Sequence, residues 1–277
     1  MKIKITADST CDLSRELTER YGVEIMPLYV NMDGKPLRDQ LDVQPHDVFQ
    51  YYERTGELCF TSARNIGEYL DAFTKLREEY DAVIHISISS EFSSTHQNAV
   101  LAAQELENVY VFDSRNLSSG HGYLVIRACE LVAEGLTADE ILSELKDAVN
   151  KVDTSFIVDQ LEYLHKGGRC SSVAALGANL LKLKPCIEVV DGKMQVGKKY
   201  RGNFDKCVDQ YIRERLSKPD TLDTSRVFLT SSGVTQTNLD TACRAIRECI
   251  GRDHPQYRRL HHLLPLRPRH TGYHSGS

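Results

Sequence analysis

The sequence predicts an α/β protein with two domains. β-rich runs alternate with helix-like stretches through about residue 150, which favours a largely parallel sheet covered by helices on both faces. Beyond that point the pattern changes to hairpin-like strands and separate helices, which indicates a second, α+β domain. A chain of 277 residues, 41% of them hydrophobic, is long enough to bury the cores of two such domains.

Residues 1–150 are predicted to form the first domain. Its strands are KIKITAD, EIMPLYV, AVIHISIS and NVYVFDS, and its helices include SRELTERYG, IGEYLDAFTKLREEY and STHQNAVLAAQELE. The amphipathic stretch TADEILSELKDAVNKV begins with a Thr-x-x-Glu capping box at Thr137 and Glu140. We expect this helix to mark the domain boundary.

Residues 151–250 are predicted to form the second domain. IVDQLEYL, KPCIEVVDGKMQVGKKY and RVFLTSS are expected to be strands, and Asp191-Gly192 is expected to be a hairpin turn. Helices are expected over 171–182, 204–216 and 236–250. Residues 251–277 are rich in Arg, His and Pro and show neither the hydrophobic period of a helix nor that of a strand, which predicts a basic, disordered tail.

Composition excludes several classes of protein. The apolar runs are too short to span a bilayer, and the start MKIKITADS lacks the apolar stretch of a signal peptide, so we expect a cytoplasmic protein. The eight cysteines form no C-x-x-C pair, which argues for reduced thiols and against a zinc site or a disulfide framework. A net charge of -5 gives no global attraction to nucleic acid or to an anionic membrane. The histidines of the basic tail lack the spacing of a metal site.

The stretch IHISISSEFSSTHQNAV ends a buried-type strand with five hydroxyl residues in seven positions, namely Ser89, Ser90, Ser93, Ser94 and Thr95. ITADST and VFDSRN end in the same way, and CFTSARN is expected to place Thr61 and Ser62 in a loop. Ligands bind beyond the carboxyl ends of strands in open α/β sheets, and hydroxyls beside a helix N-terminus suit a carboxylate or a phosphate. Each cluster taken singly is also typical of a helix N-cap.

Two basic segments offer further contacts. YLHKGGRCS is expected to join a strand-like run to a helix, and its two glycines would let Arg169 approach a ligand. KKYRGNFDK carries a basic run that includes Arg201 and that suits an anionic ligand or an acidic partner. A glycine turn with a solvated arginine and a solvated basic face are the alternatives.

These motifs together resemble the DegV family. The match comprises ITADSTCDL, the Thr-Ser pair at 61 and 62, SISSEFSSTHQNA, VYVFDSRNLSSGHG, LEYLHKGGRCS, LLKLKPCIEVVDGK and KKYRG, in order, over residues 1 to about 250. The resemblance implies an N-terminal three-layer α/β/α domain and a C-terminal two-layer α+β domain, with a long-chain fatty acid between them. It also implies the binding subunit of a bacterial fatty acid kinase, without catalytic activity or cofactor. Such a subunit presents the carboxylate to a separate ATP-dependent kinase, which makes acyl phosphate for phospholipid synthesis.

The resemblance also implies roles for particular residues. Thr61 and Ser93 are expected to hold the fatty acid carboxylate through their hydroxyls, with Ser62 and Thr95 nearby. Arg169 and Arg201 match family arginines near the mouth of the site, where they would screen the carboxylate or help to dock the kinase. Each buried CH₂ of the acyl tail contributes about 0.8 kcal/mol, so tail burial should dominate affinity and the hydroxyls should orient the head group. Such a protein would touch a membrane at most transiently.

Two other functional classes are open on the residues alone. A hydrolase would use Ser93 or Ser9 as its nucleophile, with His96, His121 or His165 as the base, although no G-x-S-x-G elbow is present. A nucleotide-binding oxidoreductase would suit the α/β pattern, but no G-x-G-x-x-G follows a strand.

The chain also departs from the family that it resembles. Ser94 stands where many relatives have glycine. The family normally continues beyond residue 250 with a strand and a Ser-His-x-Gly-Pro-Gly element whose histidine contributes to the head-group site, and the tail does not match it. Codons can be chosen for LHHLLPLRPRH such that the adjacent frame spells Cys-Thr-Ile-Ser-Ser-His-Cys-Gly-Pro-Gly, so we infer a frameshift in preference to a divergent tail or a cloning artefact.

Overall fold

The computed structural model describes residues 1–174, 183–217 and 226–250, together with the backbone of 261–263. In the first part of the chain, short strands alternate with helices, as the hydrophobic periods predict. In chain order these elements are β1 (Ile3–Asp8), α1 (Arg15–Tyr21), β2 (Glu24–Met26), β3 (Tyr29–Met32), β4 (Lys35–Arg38), α2 (Pro45–Thr55), β5 (Phe60–Ser62), α3 (Ile66–Glu79), β6 (Ala82–Ser87), α4 (Thr95–Ala103), β7 (Val109–Asp113), α5 (Ser118–Ala133) and α6 (Ala138–Val149).

The core of the N-terminal domain is a parallel sheet with the strand order β2-β1-β6-β7. Side chains of α1, α5 and α6 pack on one face of this sheet, and side chains of α3 and α4 pack on the other. Because both faces are covered, β6 is buried along its whole length, which explains why its sequence lacks polar alternation. The predicted α/β/α layering with a mainly parallel sheet is confirmed.

Capping boxes set the starts of helices α3 and α6 in this domain. The amide of Thr137 donates to Oε2 of Glu140 at 2.8 Å, which confirms the predicted start of α6. Asn65 and Glu68 cap α3 in the same way. Each box satisfies two backbone N–H groups that a helix start leaves without partners. The box at Asn65 also fixes where the chain turns from β5 into α3, beside the candidate site.

The prediction of one strand over EIMPLYV is wrong. The chain forms β2, is interrupted at Pro27, and continues as β3 in a separate antiparallel sheet with the order β4-β3-β5. Proline has no N–H for a strand ladder, so the run cannot continue as one strand of the central sheet. β5 includes Thr61 and Ser62, which were expected in a loop; three residues are too few to show strand alternation.

The elements of the C-terminal domain are β8 (Ser155–Ile157), α7 (Leu161–Gly167), α8 (Ser171–Ala174), β9 (Lys184–Val190), β10 (Lys193–Tyr200), α9 (Phe204–Arg215), β11 (Phe228–Thr230), α10 (Gln236–Ile250) and β12 (His261–Leu263). Three of the strands form an antiparallel sheet with the order β10-β9-β8. Asp191 and Gly192 form the predicted turn between β9 and β10, both with positive φ, as a type I′ turn requires. Helices α9 and α10 pack against each other and against β8 and β11.

For this domain, two expectations need correction and a third concerns residues that are only partly described. The LEYL half of the expected strand IVDQLEYL is the start of α7, so Arg169 follows a helix that ends at a left-handed Gly168 and does not follow a strand. Four consecutive residues do not distinguish a strand from a helix turn by period. The helix expected over 171–182 is described only as α8, and its remainder lies outside the described residues.

The expectation that no strand follows residue 250 is also wrong. β12 pairs in parallel with β11, with Phe228 opposite His261. The pairing uses backbone groups, so a three-residue strand needs no hydrophobic period. The rest of the segment 251–277 lies outside the described residues, and the proposed frameshift stays a prediction.

The two domains meet where β6 ends. The hydroxyl of Ser89 donates to the carbonyl of Gly192 at 2.8 Å, and Arg115 donates to the carbonyl of Asp191. Lys193 lies 3.3 Å from Glu91 in an ion pair. The tip of the β9–β10 hairpin therefore rests on the segment that carries the hydroxyl cluster. The exact boundary at residue 150 stays a prediction.

Candidate functional site

The first part of the candidate site is strand β5, whose three residues are all exposed. Thr61 lies opposite Val30 of β3, and its hydroxyl makes no hydrogen bond to any residue that the structure describes. The hydroxyl of Ser62 accepts a hydrogen bond from Nδ2 of Asn31 at 3.1 Å. Both hydroxyls therefore have a proton free to donate to a ligand.

The second part is the N-terminus of α4. Ser93 is half-buried, and its Oγ accepts a hydrogen bond from the amide of Thr95 at 3.2 Å. This bond occupies a lone pair on Ser93 and leaves its hydroxyl proton available. The side chain of Thr95 is fully buried and points inward. Ser94 makes no capping bond and is exposed.

Beneath Thr95 lies a fully buried polar cluster of Asp8, Tyr69 and His85. The Tyr69 hydroxyl donates to Oδ1 of Asp8 at 2.5 Å, and Oδ2 of Asp8 accepts from the amide of Ile88 at 2.9 Å. Nε2 of His85 lies 3.2 Å from Oδ1 of Asp8, although it is not aligned for a hydrogen bond. The cluster thus ties the ends of β1 and β6 to helix α3.

The protonation of this cluster follows from its contacts. Burial by itself raises the pKa of Asp8, but attraction to His85 and the hydrogen bond from Tyr69 outweigh it, so the pKa of Asp8 lies below its ordinary value. Burial, together with the negative charge of Asp8, holds the pKa of Tyr69 well above its ordinary value. Asp8 is therefore ionised and Tyr69 is neutral at pH 7.

These states set the direction of the contact between Tyr69 and Thr95, whose oxygens lie 3.3 Å apart. An ionised carboxylate only accepts, so Tyr69 gives its one proton to Asp8 and can only accept from Thr95. The hydroxyl proton of Thr95 is therefore directed inward, through a bond longer than is usual between hydroxyls. Of Ser93 and Thr95, Ser93 is the donor that a ligand can reach.

Helix α4 and the segment after β5 are joined directly. Nδ2 of Asn98 donates to the carbonyl of Arg64 at 2.8 Å, which adds to the contact between Thr95 and Tyr69. These contacts join the end of β5, with Thr61 and Ser62, to the start of α4, with Ser93 and Thr95, and we call this part of the domain the hydroxyl corner. A shared role for the four hydroxyls in one site stays a prediction. The sequence analysis missed Tyr69 and Arg64. Tyr69 follows the apolar period of α3 and lies 61 positions from Asp8, so no local pattern indicates its bond.

Two of the histidines proposed for a hydrolase, His96 and His121, contact other groups, and the third, His165, is exposed. Nδ1 of His96 lies 2.7 Å from the hydroxyl of the buried Ser87, and burial lowers the pKa of His96. Nε2 of His121 lies 2.9 Å from the carbonyl of Ile86, and burial lowers its pKa to about 4. His165 is exposed on α7. The hydroxyl of Ser9 accepts from the amide of Leu28 at 3.2 Å. In the described part of the chain no hydrogen bond joins any of these histidines to Ser93 or to Ser9, so the hydrolase alternative has no geometric support.

The described residues also contain no helix long and apolar enough to cross a membrane. Within the same residues, no three His, Cys, Asp or Glu side chains are placed to hold a metal ion.

Comparison with known proteins gives the chain its family. The model of the DegV family, described as uncharacterised proteins, matches residues 2–261. This chain belongs to the DegV family. A DegV domain-containing protein of Clostridium acetobutylicum is 37% identical over 204 residues, which are 73% of either chain. One of Clostridium perfringens is 34% identical over 220 residues, 79% of this chain and 78% of the relative.

Solved DegV structures share the fold along most of their length. A Thermus thermophilus DegV family protein, described by its fatty acid binding, is 31% identical with a TM-score of 0.76, and the match covers 90% of this chain and 87% of that one. A stearic acid-binding protein of Eubacterium ventriosum is 25% identical with a TM-score of 0.81, and the match covers 94% and 90%. These matches and the domains described above confirm the predicted two-domain fold.

In this DegV chain the two arginines predicted for the site make no described hydrogen bond or ion pair with the residues of the hydroxyl corner. Arg169 is exposed, and its Nη1 donates to the carbonyl of Gly167 at 2.7 Å. Arg201 is exposed just after β10. Within the described residues, no hydrogen bond or ion pair joins either arginine to Thr61 or Ser93. The neighbouring Lys198 pairs with Glu214 at 2.6 Å, so part of the basic run is neutralised.

Proposed function

We propose that this protein binds a long-chain fatty acid between its two domains and presents the carboxylate to a separate ATP-dependent kinase. The observation that carries the proposal is its likeness, over about nine-tenths of the chain, to DegV proteins that are described as binding fatty acids. The corner formed by β5 and α4 supports it, because that corner offers hydroxyl protons at the end of a parallel sheet, where ligands of α/β proteins bind.

The proposed head-group site uses its residues in different ways. Ser93 donates to the carboxylate, because its hydroxyl accepts from the amide of Thr95 and its own proton is therefore free. Thr61 donates from the exposed strand β5, and Ser62, whose side chain lies on the opposite face of that strand beside Asn31, stays nearby. Thr95 holds the α4 end of the site in place, because its own proton points to Tyr69. The acyl tail supplies most of the binding free energy, at about 0.8 kcal/mol for each buried CH₂.

The proposed division into domains, 1–150 and 151–250, places the ligand beside the contact of Ser89 with the hairpin tip at Gly192. A ligand seated between the domains would meet groups from both sides of this contact. Opening the contact would then admit or release the lipid, at the cost of the hydrogen bonds that Ser89 and Arg115 donate and of the ion pair between Lys193 and Glu91.

In this proposal the protein carries out no chemical step and needs no cofactor. The fatty acid carboxylate is the nucleophile, and the kinase supplies ATP and the catalytic groups that make acyl phosphate for phospholipid synthesis. Arg169 and Arg201 are exposed, so they are available to screen the carboxylate or to meet acidic groups of the kinase. The proposal places the protein in the bacterial cytoplasm, with no more than transient contact with a membrane.

The test is a variant that keeps the tail site and removes the head-group hydroxyls. Thr61→Val combined with Ser93→Ala should still take up oleate but should abolish acyl-phosphate formation by the kinase, because the carboxylate is no longer oriented. Ser143→Ala, an exposed hydroxyl on α6, is the matched control and should form acyl phosphate at the wild-type rate. Unchanged acyl-phosphate formation in the double variant would contradict the proposed head-group site.

A further inference from the structure

We propose that Arg64 supplies the positive charge of the head-group site and makes the site select a carboxylate over an uncharged head group. The inference rests on the proposed function, because it assigns a role within the same site. It does not depend on the two arginines expected from the sequence, both of which are exposed in the C-terminal domain.

The position of Arg64 is fixed from three sides. It lies two residues after Ser62 and immediately before Asn65, the N-cap of α3. Its carbonyl accepts from Nδ2 of Asn98 on α4, and its Nη2 donates to the carbonyl of Glu68 at 3.1 Å. The centre of the guanidinium lies 5.5 Å from the centroid of the Tyr69 ring, within the range of a cation–π contact. The charge is therefore held where β5, α3 and α4 meet.

The guanidinium has hydrogen-bonding capacity that the protein does not use. Nε of Arg64 is buried and has no hydrogen-bond partner, and no carboxylate in the described part of the chain lies within ion-pair distance of Arg64. An unpaired buried N–H of a charged group is costly, whereas an arginine paired with a carboxylate forms strong, oriented hydrogen bonds. The arrangement is what a site for an anionic ligand requires before the ligand binds.

The nearby acidic groups are already occupied. The carboxylate of Glu68 accepts from the Tyr29 hydroxyl and from the amide of Asn65. The carboxylate of Asp8 accepts from Tyr69 and from the amide of Ile88. Neither acid neutralises Arg64 by direct pairing. Within the described residues the charge of Arg64 is therefore not neutralised by direct pairing, and it is available to the carboxylate of a ligand.

The test compares two ligands with the same tail, oleate and oleyl alcohol. Their dissociation constants are measured by calorimetry for the wild-type protein, Arg64→Gln and Arg64→Lys, with Arg20→Gln on the exposed face of α1 as the matched control. Arg64→Gln should weaken oleate binding by about tenfold to a hundredfold, the value of a charged hydrogen bond, and should leave oleyl alcohol binding unchanged. Arg64→Lys should restore part of the preference, and Arg20→Gln should retain all of it.

The outcomes separate the two proposals. An Arg64→Gln protein with the wild-type ratio of oleate to alcohol affinity would overturn the role of Arg64 while leaving fatty acid binding intact. A wild-type protein that binds neither ligand would overturn the proposed function and this inference with it. Phenylglyoxal labelling of the wild-type protein gives a reading that needs no variant. Oleate should protect Arg64 from labelling and oleyl alcohol should not; equal labelling with both ligands would contradict the assignment.

Discussion

Replacing Tyr69 with phenylalanine removes one hydroxyl from the buried cluster and keeps the ring. The ring contacts with Phe73 and His85, at centroid distances of 5.5 and 5.2 Å, should survive. Asp8 loses a hydrogen bond of 2.5 Å and keeps the bond from the amide of Ile88 and its contact with His85. A hydrogen bond to a charged group contributes about 1.5–3 kcal/mol, so Tyr69→Phe should lower the free energy of unfolding by about that amount at pH 7.

The loss should depend on pH with a defined sign. The pKa of Asp8 in the folded protein lies below its ordinary value of 3.8, so its ionised form stabilises the fold above that pH. This contribution disappears as the pH falls through the folded pKa, because Asp8 is then protonated in both states. The difference between wild type and Tyr69→Phe should therefore be fully present at pH 7 and should shrink as the pH falls below 3.8.

Urea unfolding followed by circular dichroism measures this difference. Tyr110→Phe on β7 is the matched control, because within the described residues its hydroxyl makes no hydrogen bond, and it should change stability by no more than about 0.5 kcal/mol. Equal stabilities of the Tyr69 and Tyr110 variants at pH 7 would refute the account of the buried cluster.

Two other predictions concern the hairpin and the tail. Gly192→Ala should lower the free energy of unfolding by about 1 kcal/mol more than Gly135→Ala, as measured by urea unfolding. Both glycines have positive φ, but only a Cβ at Gly192 would lie 2.8 Å from the Ser89 hydroxyl. Equal losses of stability in the two variants would show that the Ser89 side chain moves aside without cost. Sequencing of the coding DNA should show that a shift of one base restores a Ser-His-Cys-Gly-Pro-Gly element in the tail, and the absence of such a shift in either direction would disprove the frameshift.

The fold could be predicted from the sequence where a strand is buried on both faces or where the residues that cap a helix lie close together in the chain. AVIHIS predicts a central strand because both of its faces are buried, and Thr137 with Glu140 predicts the start of α6 because the capping box is complete within four residues. EIMPLYV could not be divided correctly from its apolar pattern alone, because β3 leaves the central sheet to pair with β4 and β5, which is a tertiary choice.

The candidate site divides in the same way. The place of Ser93 between β6 and α4 was predictable from the strand and helix patterns, and its role at a ligand-binding edge stays a prediction. The different part taken by Thr95 was not, because it depends on a proton that Tyr69 gives to Asp8 across 61 positions of sequence. Arg64 was missed because a charged residue just before a helix is usually solvated, and only the structure shows that its Nε is buried without a partner.

The most direct test of the central proposal is native mass spectrometry of the purified protein, followed by organic extraction of whatever it carries. The account predicts about one long-chain fatty acid per chain, or stoichiometric uptake of added oleate or palmitate. A folded protein that carries no lipid and takes up neither acid would contradict the proposal that this DegV protein binds a fatty acid.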